Sequence, residues 1–450
     1  MQYKVRAQVT VFLTLLFGIM SALIITVIES AGNEATKIEV ERIMQTAIHS
    51  CFSEYNRDFL NKYDIFAIDC SYRKNTGSID NIKDHLKTYA DRNIYNNELS
   101  AGADLYAISI DNTKLKRYEL LSDNNGAPLI KQINEYMMIG DNIPEKSLLN
   151  KVKDLMALKD DGGFMEDFAK NLEKSGGVAD NPAERIYELA IDSELLSNIG
   201  DEGYYFESVP GDCPSRRFLK KGTYKAFAKT GEKDDFLLNA YINEKFSNML
   251  NPLRDSIMIG EEEYIISGLS REKDSIKECV RRILNQRENK NLKAMMENEE
   301  VLFKTEELSY ELCSQGEGDP YYVQMSLIYA WAYVESLVEL NHVCLRGGSI
   351  DLSEGVLNPV VPLYDLIYFE EYFGGCPNQG MDYPTILFGM LMNTDYNEKL
   401  KRCMDVMELN MIERGHEGFR IDGCVVAFSG EMSANGMFGH DFTIEREFAY

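Results

Sequence analysis

The chain has 450 residues, of which 44% are hydrophobic and 11% aromatic, the composition of a folded protein with a sizeable core. Its net charge is −26. A surface of that sign repels phosphate backbones, and no basic stripe interrupts it, so a nucleic-acid-binding role is disfavoured.

Residues 1–8 form a short basic leader, with Lys4 and Arg6 and no acid. From Val9 to Ile28 no charge occurs over 20 residues. At a rise of about 1.5 Å per residue, that run matches one bilayer core, roughly 30 Å. It is longer than the ~7–15 residues of a secretory h-region, and Glu29-Ser30-Ala31-Gly32-Asn33 is a poor cleavage site. The expectation is therefore an uncleaved transmembrane helix over 9–28. All 73 acidic residues but only 45 of the 47 basic ones lie at or after Glu29, which leaves the following part at −28. The positive-inside rule then puts the leader in the cytoplasm and the rest outside, as a single-pass protein of the cell membrane.

The helical period continues past the run. Ile38, Val40, Ile43, Met44, Ala47, Ile48, Cys51, Phe52, Tyr55 and Phe59 recur at three- and four-residue steps. This predicts an amphipathic stalk helix over 29–62, with a joint at Gly32-Asn33, whose apolar stripe packs on the domain that follows. Residues 63–450 are read as an extracytoplasmic body. It opens with a buried strand in "YDIFAIDCSY" (63–72), a helix over 79–92, and one or two strands over 104–121. Helices punctuated by "DGG" at Asp161 and "SGG" at Ser175 fill a helical, mobile insertion around 128–198. A loop runs from 199 to 217, and a helix covers 235–249. "EYIISG" (263–268) reads as a short strand, and Ser270 as the cap of a helix reaching 286. Long helices follow over 291–312 and 321–342, then 384–392 and 397–412, with strands in "FRIDGCVVAFSG" and "HDFTIEREF". The fold class is α+β: a long N-terminal transmembrane and stalk helix followed by a mixed α+β extracytoplasmic body.

Chemistry is scarce. Asp69, Ser71 and Arg73 fall where the metal-ion-dependent adhesion motif of von Willebrand A domains has Asp-x-Ser-x-Ser. Arg73 in place of the second serine opposes a divalent ion, so a strand end entering a loop is expected there. The five histidines, His49, His85, His342, His416 and His440, match no ligand spacing, and His342 with Cys344 makes no expected dyad. Acidic runs such as Glu261-Glu262-Glu263 are expected on solvated faces. "LRGGSIDLSEG" and "FGGCPNQGMDY" lack the Gly-Lys-Ser/Thr of a phosphate loop. The nine cysteines, with no C-x-x-C spacing, are read as buried small hydrophobes rather than a disulfide framework. No catalytic, cofactor-binding or metal residue is assigned, no cofactor is expected, and the ligand is unknown.

The N-terminal run "AQVTVFLTLLFGIMSALIITVIESA", with "KIEVERIMQTAIHSCFSEYN" and "YDIFAID" after it, resembles the TadE/TadG-like membrane-anchored proteins of tight-adherence (Tad) pilus assembly. It is also similar to an uncharacterised Gram-positive family encoded beside such genes. Further echoes are "YIISGLSREKDSIKECVRRILNQREN", "YAWAYVESLVEL" and "KLKRCMDVMELN". Ala7 stands where prepilin-like leaders have glycine, and Phe12 where mature pilins have glutamate. The resemblance thus implies a non-enzymatic minor pseudopilin or assembly factor kept in the membrane, whose N-terminal helix meets other pilus or surface-assembly proteins. Small and hydroxyl residues at Thr14, Gly18, Ser21, Ala22 and Thr26 would let another helix approach closely. The competing reading is a membrane-tethered extracytoplasmic enzyme, its site built from scattered carboxylates.

Overall fold

A computed structural model of the chain describes residues 2–74, 76–95, 107–139, 153–154, 163–192, 206–223, 232–314, 318–436 and 439–450. The described residues divide into two compact units. The first comprises Met1–Gln132, Leu219–Lys229 and Met411–Tyr450; the second comprises Ile133–Phe218 and Thr230–Asn410.

The first unit is built on helix α1 (Gln2–Phe52), which runs unbroken through Gly32 and Asn33, so the expected joint is absent. One glycine costs a helix only about 1 kcal/mol, and Thr36, 2% exposed, ties its hydroxyl back to the Gly32 carbonyl at 2.8 Å. The break falls instead after Phe52. There Asn56 caps α2 (Arg57–Tyr63) by accepting from the Phe59 amide at 3.0 Å, and Asp64 ends it in the left-handed conformation.

The "YDIFAIDCSY" segment forms only a two-residue strand, β1 (Ile68–Asp69). Before it, Phe66 exchanges both backbone hydrogen bonds with the Gln132 side chain, so no ladder can form there. After it, Tyr72 and Arg73 turn the chain with φ of 47° and 62°. Helix α3 (Ile79–Tyr95) and strand β2 (Ser109–Leu120) follow, while residues 104–106 of the expected strand lie outside the described residues. Helix α4 spans Asp123–Ile139.

Strand β5 (Cys424–Asn435) is the centre of the sheet, antiparallel to β2 on one side and to β1 and β6 (Asp441–Ala449) on the other. The outer half of α1 and α3 cover one face. Val40, Ile43, Met44, Ala47, Ile48, Cys51 and Phe52 join Ile82 and Leu86 against Val425, Phe428 and Met432 in one core. Gly430 makes this closure possible, because a Cβ there would sit 2.6 Å from Met44 Cε and 3.1 Å from Leu86 Cδ2. The apolar stripe of the stalk is thus ordinary packing onto its own sheet.

The second unit is mainly helical: α5 (Phe164–Ser175), α6 (Pro182–Asp192), α7 (Glu232–Lys245), α8 (Glu261–Ser267), α9 (Glu272–Met296), α10 (Glu299–Cys313) and α11 (Pro320–Cys344) come first. A two-residue ladder of β3 (Ser349–Ile350) and β4 (Met381–Asp382), a 3-10 helix (Leu363–Tyr372), α12 (Tyr383–Asn393) and α13 (Tyr396–Glu413) follow. Helix α11, apolar all round, is the hub and packs against α5, α6, α9 and α10. The Asp161 break, most of the 128–198 insertion outside α4, α5 and α6, and the first part of the 199–217 loop lie outside the described residues.

Two local expectations fail here. "EYIISG" is helix α8, not a strand. Glu261, Glu262 and Glu263 occupy its first turn, and Gly268 closes it in the left-handed conformation, donating to the Tyr264 carbonyl. Ser270 caps nothing; its hydroxyl accepts from Arg216, and α9 starts after Arg271 and runs unbroken to Met296 through the gap expected at 287–290.

Candidate functional site

The feature that departs most from a globular protein is the inner half of α1. From Val9 to Ile28 its large side chains stand exposed, Phe17 at 74% and Ile19 at 68%. Among the described residues this is the one helix long and apolar enough to cross a membrane, and none of its apolar window is buried by the protein. Two of its hydroxyls are satisfied within the helix. Thr14 donates to the Val11 carbonyl and Thr26 to the Ala22 carbonyl, each at 2.9 Å, so the span can lie in lipid with these groups satisfied. Just beyond it, Glu29 lies 3.4 Å from His440, which follows the β5–β6 turn. Arg446 on β6 then pairs with Glu41 at 2.9 Å. The span therefore leads directly into a helix braced against the sheet.

The turn after β1 gathers polar groups. Asp69 accepts from the Ser71 amide and hydroxyl, both at 2.8 Å, which commits its two oxygens to holding the turn. Arg73 reaches Asp58 on α2 at 2.9 Å rather than Asp69. The same Asp58 oxygen receives His416 Nε2 at 2.8 Å, and Asn56 Nδ2 lies 3.3 Å from His416 Nδ1. Beside this, Glu54 takes the hydroxyls of Tyr72 (3.1 Å) and Tyr89 (2.5 Å) and His85 Nδ1 (2.9 Å), with His85 stacked on Tyr72 at 4.0 Å. These donors satisfy a carboxylate placed just past the C-terminus of α1, where the helix dipole alone would repel it.

In the second unit, Glu261, Glu262 and Glu263 are all 0% exposed, the opposite of a solvated face. They grip the 247–249 turn: Glu261 accepts from the Ser247 amide and Asn410, Glu262 from the Asn248 side chain, Glu263 from the Met249 amide and the Tyr383 hydroxyl. Burial pushes the Glu262 carboxyl well above its ordinary range and Glu263 to about 7. Asp405, raised by burial, accepts from the Ser215 amide and the Tyr264 hydroxyl, both at 2.7 Å. Nearby Glu408 binds Arg217 through both oxygens at 2.8 Å.

A polar stripe also runs down α11. Arg287 on α9 forks onto Glu339, Glu335 accepts from the Val361 amide at 2.7 Å, and His342 Nε2 lies 2.9 Å from Asn378 Oδ1. Burial raises Glu335 to about 7. The signal for this stripe was present in the sequence: charged residues in a helix apolar all round must be buried and paired. Nothing local marked Glu261–Glu263 or His416 in the same way. His342 packs over Gly348, whereas Cys344 is buried in the core, and the two form no dyad. All nine cysteines are free, seven of them buried and Cys313 and Cys376 half-buried. Among the described residues, no group of three or more His, Cys, Asp and Glu is arranged to hold a metal ion.

Residues 180–436 match a family of unknown function, DUF5702. The chain belongs to that family. The match spans more than half of the 450 residues, taking in helices α6–α13, His416 and strand β5. The apolar span over 9–28, Asp58, Asp69 and strand β6 lie outside the DUF5702 match. No curated protein and no solved structure matches the chain.

Proposed function

We propose that this DUF5702 protein is a non-enzymatic, single-pass component of a Tad-like pilus or related cell-surface apparatus, acting as a minor pseudopilin or assembly factor. The observation that carries the reading is the division of α1: bare over 9–28, built into a sheet over 36–52, with no break between. A helix of this design transmits position from the bilayer to a folded body without a hinge. The body stands outside the membrane and the residues before Val9 in the cytoplasm, in keeping with Lys4 and Arg6 on one flank and Glu29, Glu34, Glu39 and Glu41 on the other. The buried carboxylates of the second unit are engaged with the protein's own backbone and side chains, which favours a structural over a catalytic use of them.

Protease treatment of intact cells, followed by intact-mass analysis of the membrane-extracted protein, tests the reading. The body should be digested from outside and the N-terminus retained. A mature start beyond Ile28 would remove the anchor and sink the proposal. Cross-linking from Thr14 or Ser21 replaced by a photoreactive residue should capture another membrane-embedded assembly protein.

A further inference from the structure

His416, 3% exposed, stands where α2, the end of β1 and the 414–419 segment meet in the first unit. Its Nε2 lies 2.8 Å from Asp58 Oδ2. Its Nδ1 has two neighbours, Asn56 Nδ2 at 3.3 Å and Asp69 Oδ2 at 3.8 Å. An amide nitrogen only donates, so the Asn56 contact requires Nδ1 to be the bare, accepting nitrogen and Nε2 to carry its proton toward Asp58. A second proton on Nδ1 would set donor against donor. The acceptor then within reach is Asp69 Oδ2, which a shift of roughly 1 Å brings into hydrogen-bond range.

We propose that His416 is a proton-operated switch at the head of the stalk: neutral, its Nδ1 accepts from Asn56; protonated, it leaves Asn56 and donates to Asp69 while Nε2 keeps Asp58. Both alternative partners hold structure. Asn56 caps α2, the first element after the stalk, through its Oδ1 and the Phe59 amide. Asp69 holds Ser71 in the turn where Tyr72 and Arg73 adopt positive φ, and Tyr72 in turn reaches Glu54 beyond the end of α1. A proton taken up at His416 is thus felt at both ends of the α2–β1 corner.

The charges around the imidazole set its working range. Asp69 and Asp58 favour the second proton, while Arg73, which shares the Asp58 oxygen, opposes it; Arg414 also faces Asp58. The pull of the nearby Asp69 carboxylate leads, outweighing burial, and His416 is held above its ordinary value of 6.5. The switch therefore works at a higher pH than a free imidazole would.

The test uses the full chain in detergent micelles, labelled with ¹⁵N-histidine, so that only five imidazoles report. His416 is assigned by difference against His416→Gln. At high pH it should be the Nε2–H tautomer and should titrate above 6.5. Asp69→Asn should lower that titration and abolish the pH response of amide exchange over residues 69–74. Asn56→Ala, which removes the donor favouring the neutral form, should raise it and serves where Asp69→Asn does not fold. An Nδ1–H tautomer at high pH, or an unchanged titration in either variant, overturns the switch.

Discussion

The Arg287 guanidinium closes both oxygens of Glu339, with Nη2–Oε1 and Nε–Oε2 each 2.8 Å, and the arginine side chain is 1% exposed. The remaining donors reach the Asp351 and Glu354 carbonyls and Asn291. One cation thus fixes α11, α9 and the loop after β3 at once.

Removing one partner leaves a buried charge alone. Arg287→Met should destabilise the second unit by about 3–5 kcal/mol, read as a downward shift of its urea midpoint. The double change Arg287→Met with Glu339→Leu should recover part of the loss but not all, because the two loop carbonyls stay unpaired. Equal midpoints for the single and double variants would show that the ion pair is not what the guanidinium contributes.

Phe52 stacks on Phe428 at 4.8 Å and meets Phe448 and Tyr450, whose hydroxyl donates to the Phe52 carbonyl. Phe52→Ala should cost about 3–5 kcal/mol and lower the melting temperature of the first unit. Glu41→Ala removes only a surface pair with Arg446, an interaction in the range of about 0–1 kcal/mol. A common shift in the two variants would mean that the stalk is not built into the sheet.

Glu335 is fully buried, with its carboxyl raised to about 7 from an ordinary 4.5. Between those values the native state binds the proton and the unfolded chain does not. Its contribution is therefore complete below pH 4.5 and is lost as pH rises through about 7. The span corresponds to on the order of 3 kcal/mol. Urea unfolding from pH 4.5 to 8 should show stability falling along this range in the natural protein and a flatter profile in Glu335→Gln. Glu263, raised to the same region, adds to the slope that remains.

Leu16 lies midway along the bare segment and is 44% exposed. Leu16→Arg should weaken membrane insertion by about 2.5–3.5 kcal/mol, seen as a smaller share of the protein in the membrane fraction. Phe218→Arg, at a residue 103% exposed outside the span, should leave that share unchanged.

The apolar first half of α1 was legible in the sequence because the capacity to cross a bilayer depends on local composition: 20 uncharged residues suffice whatever the rest of the chain does. The stalk stripe from Val40 to Phe52, helix α11 and strands β5 and β6 were legible for a related reason, since periodicity records which face will be covered. What covers it is not recorded. Gly430 opposite Met44 and Leu86 is a fact of the assembled sheet. The two-residue length of β1 was likewise decided by a contact, from Gln132. Only the tertiary structure could turn Glu261-Glu262-Glu263 from a charged surface run into buried acids, because Ser247, Tyr383 and Asn410 supply the donors. His416 shows the same limit most sharply. Its partners Asn56, Asp58 and Asp69 lie some 350 residues away, and a proton's affinity depends on distances that no spacing along the chain encodes.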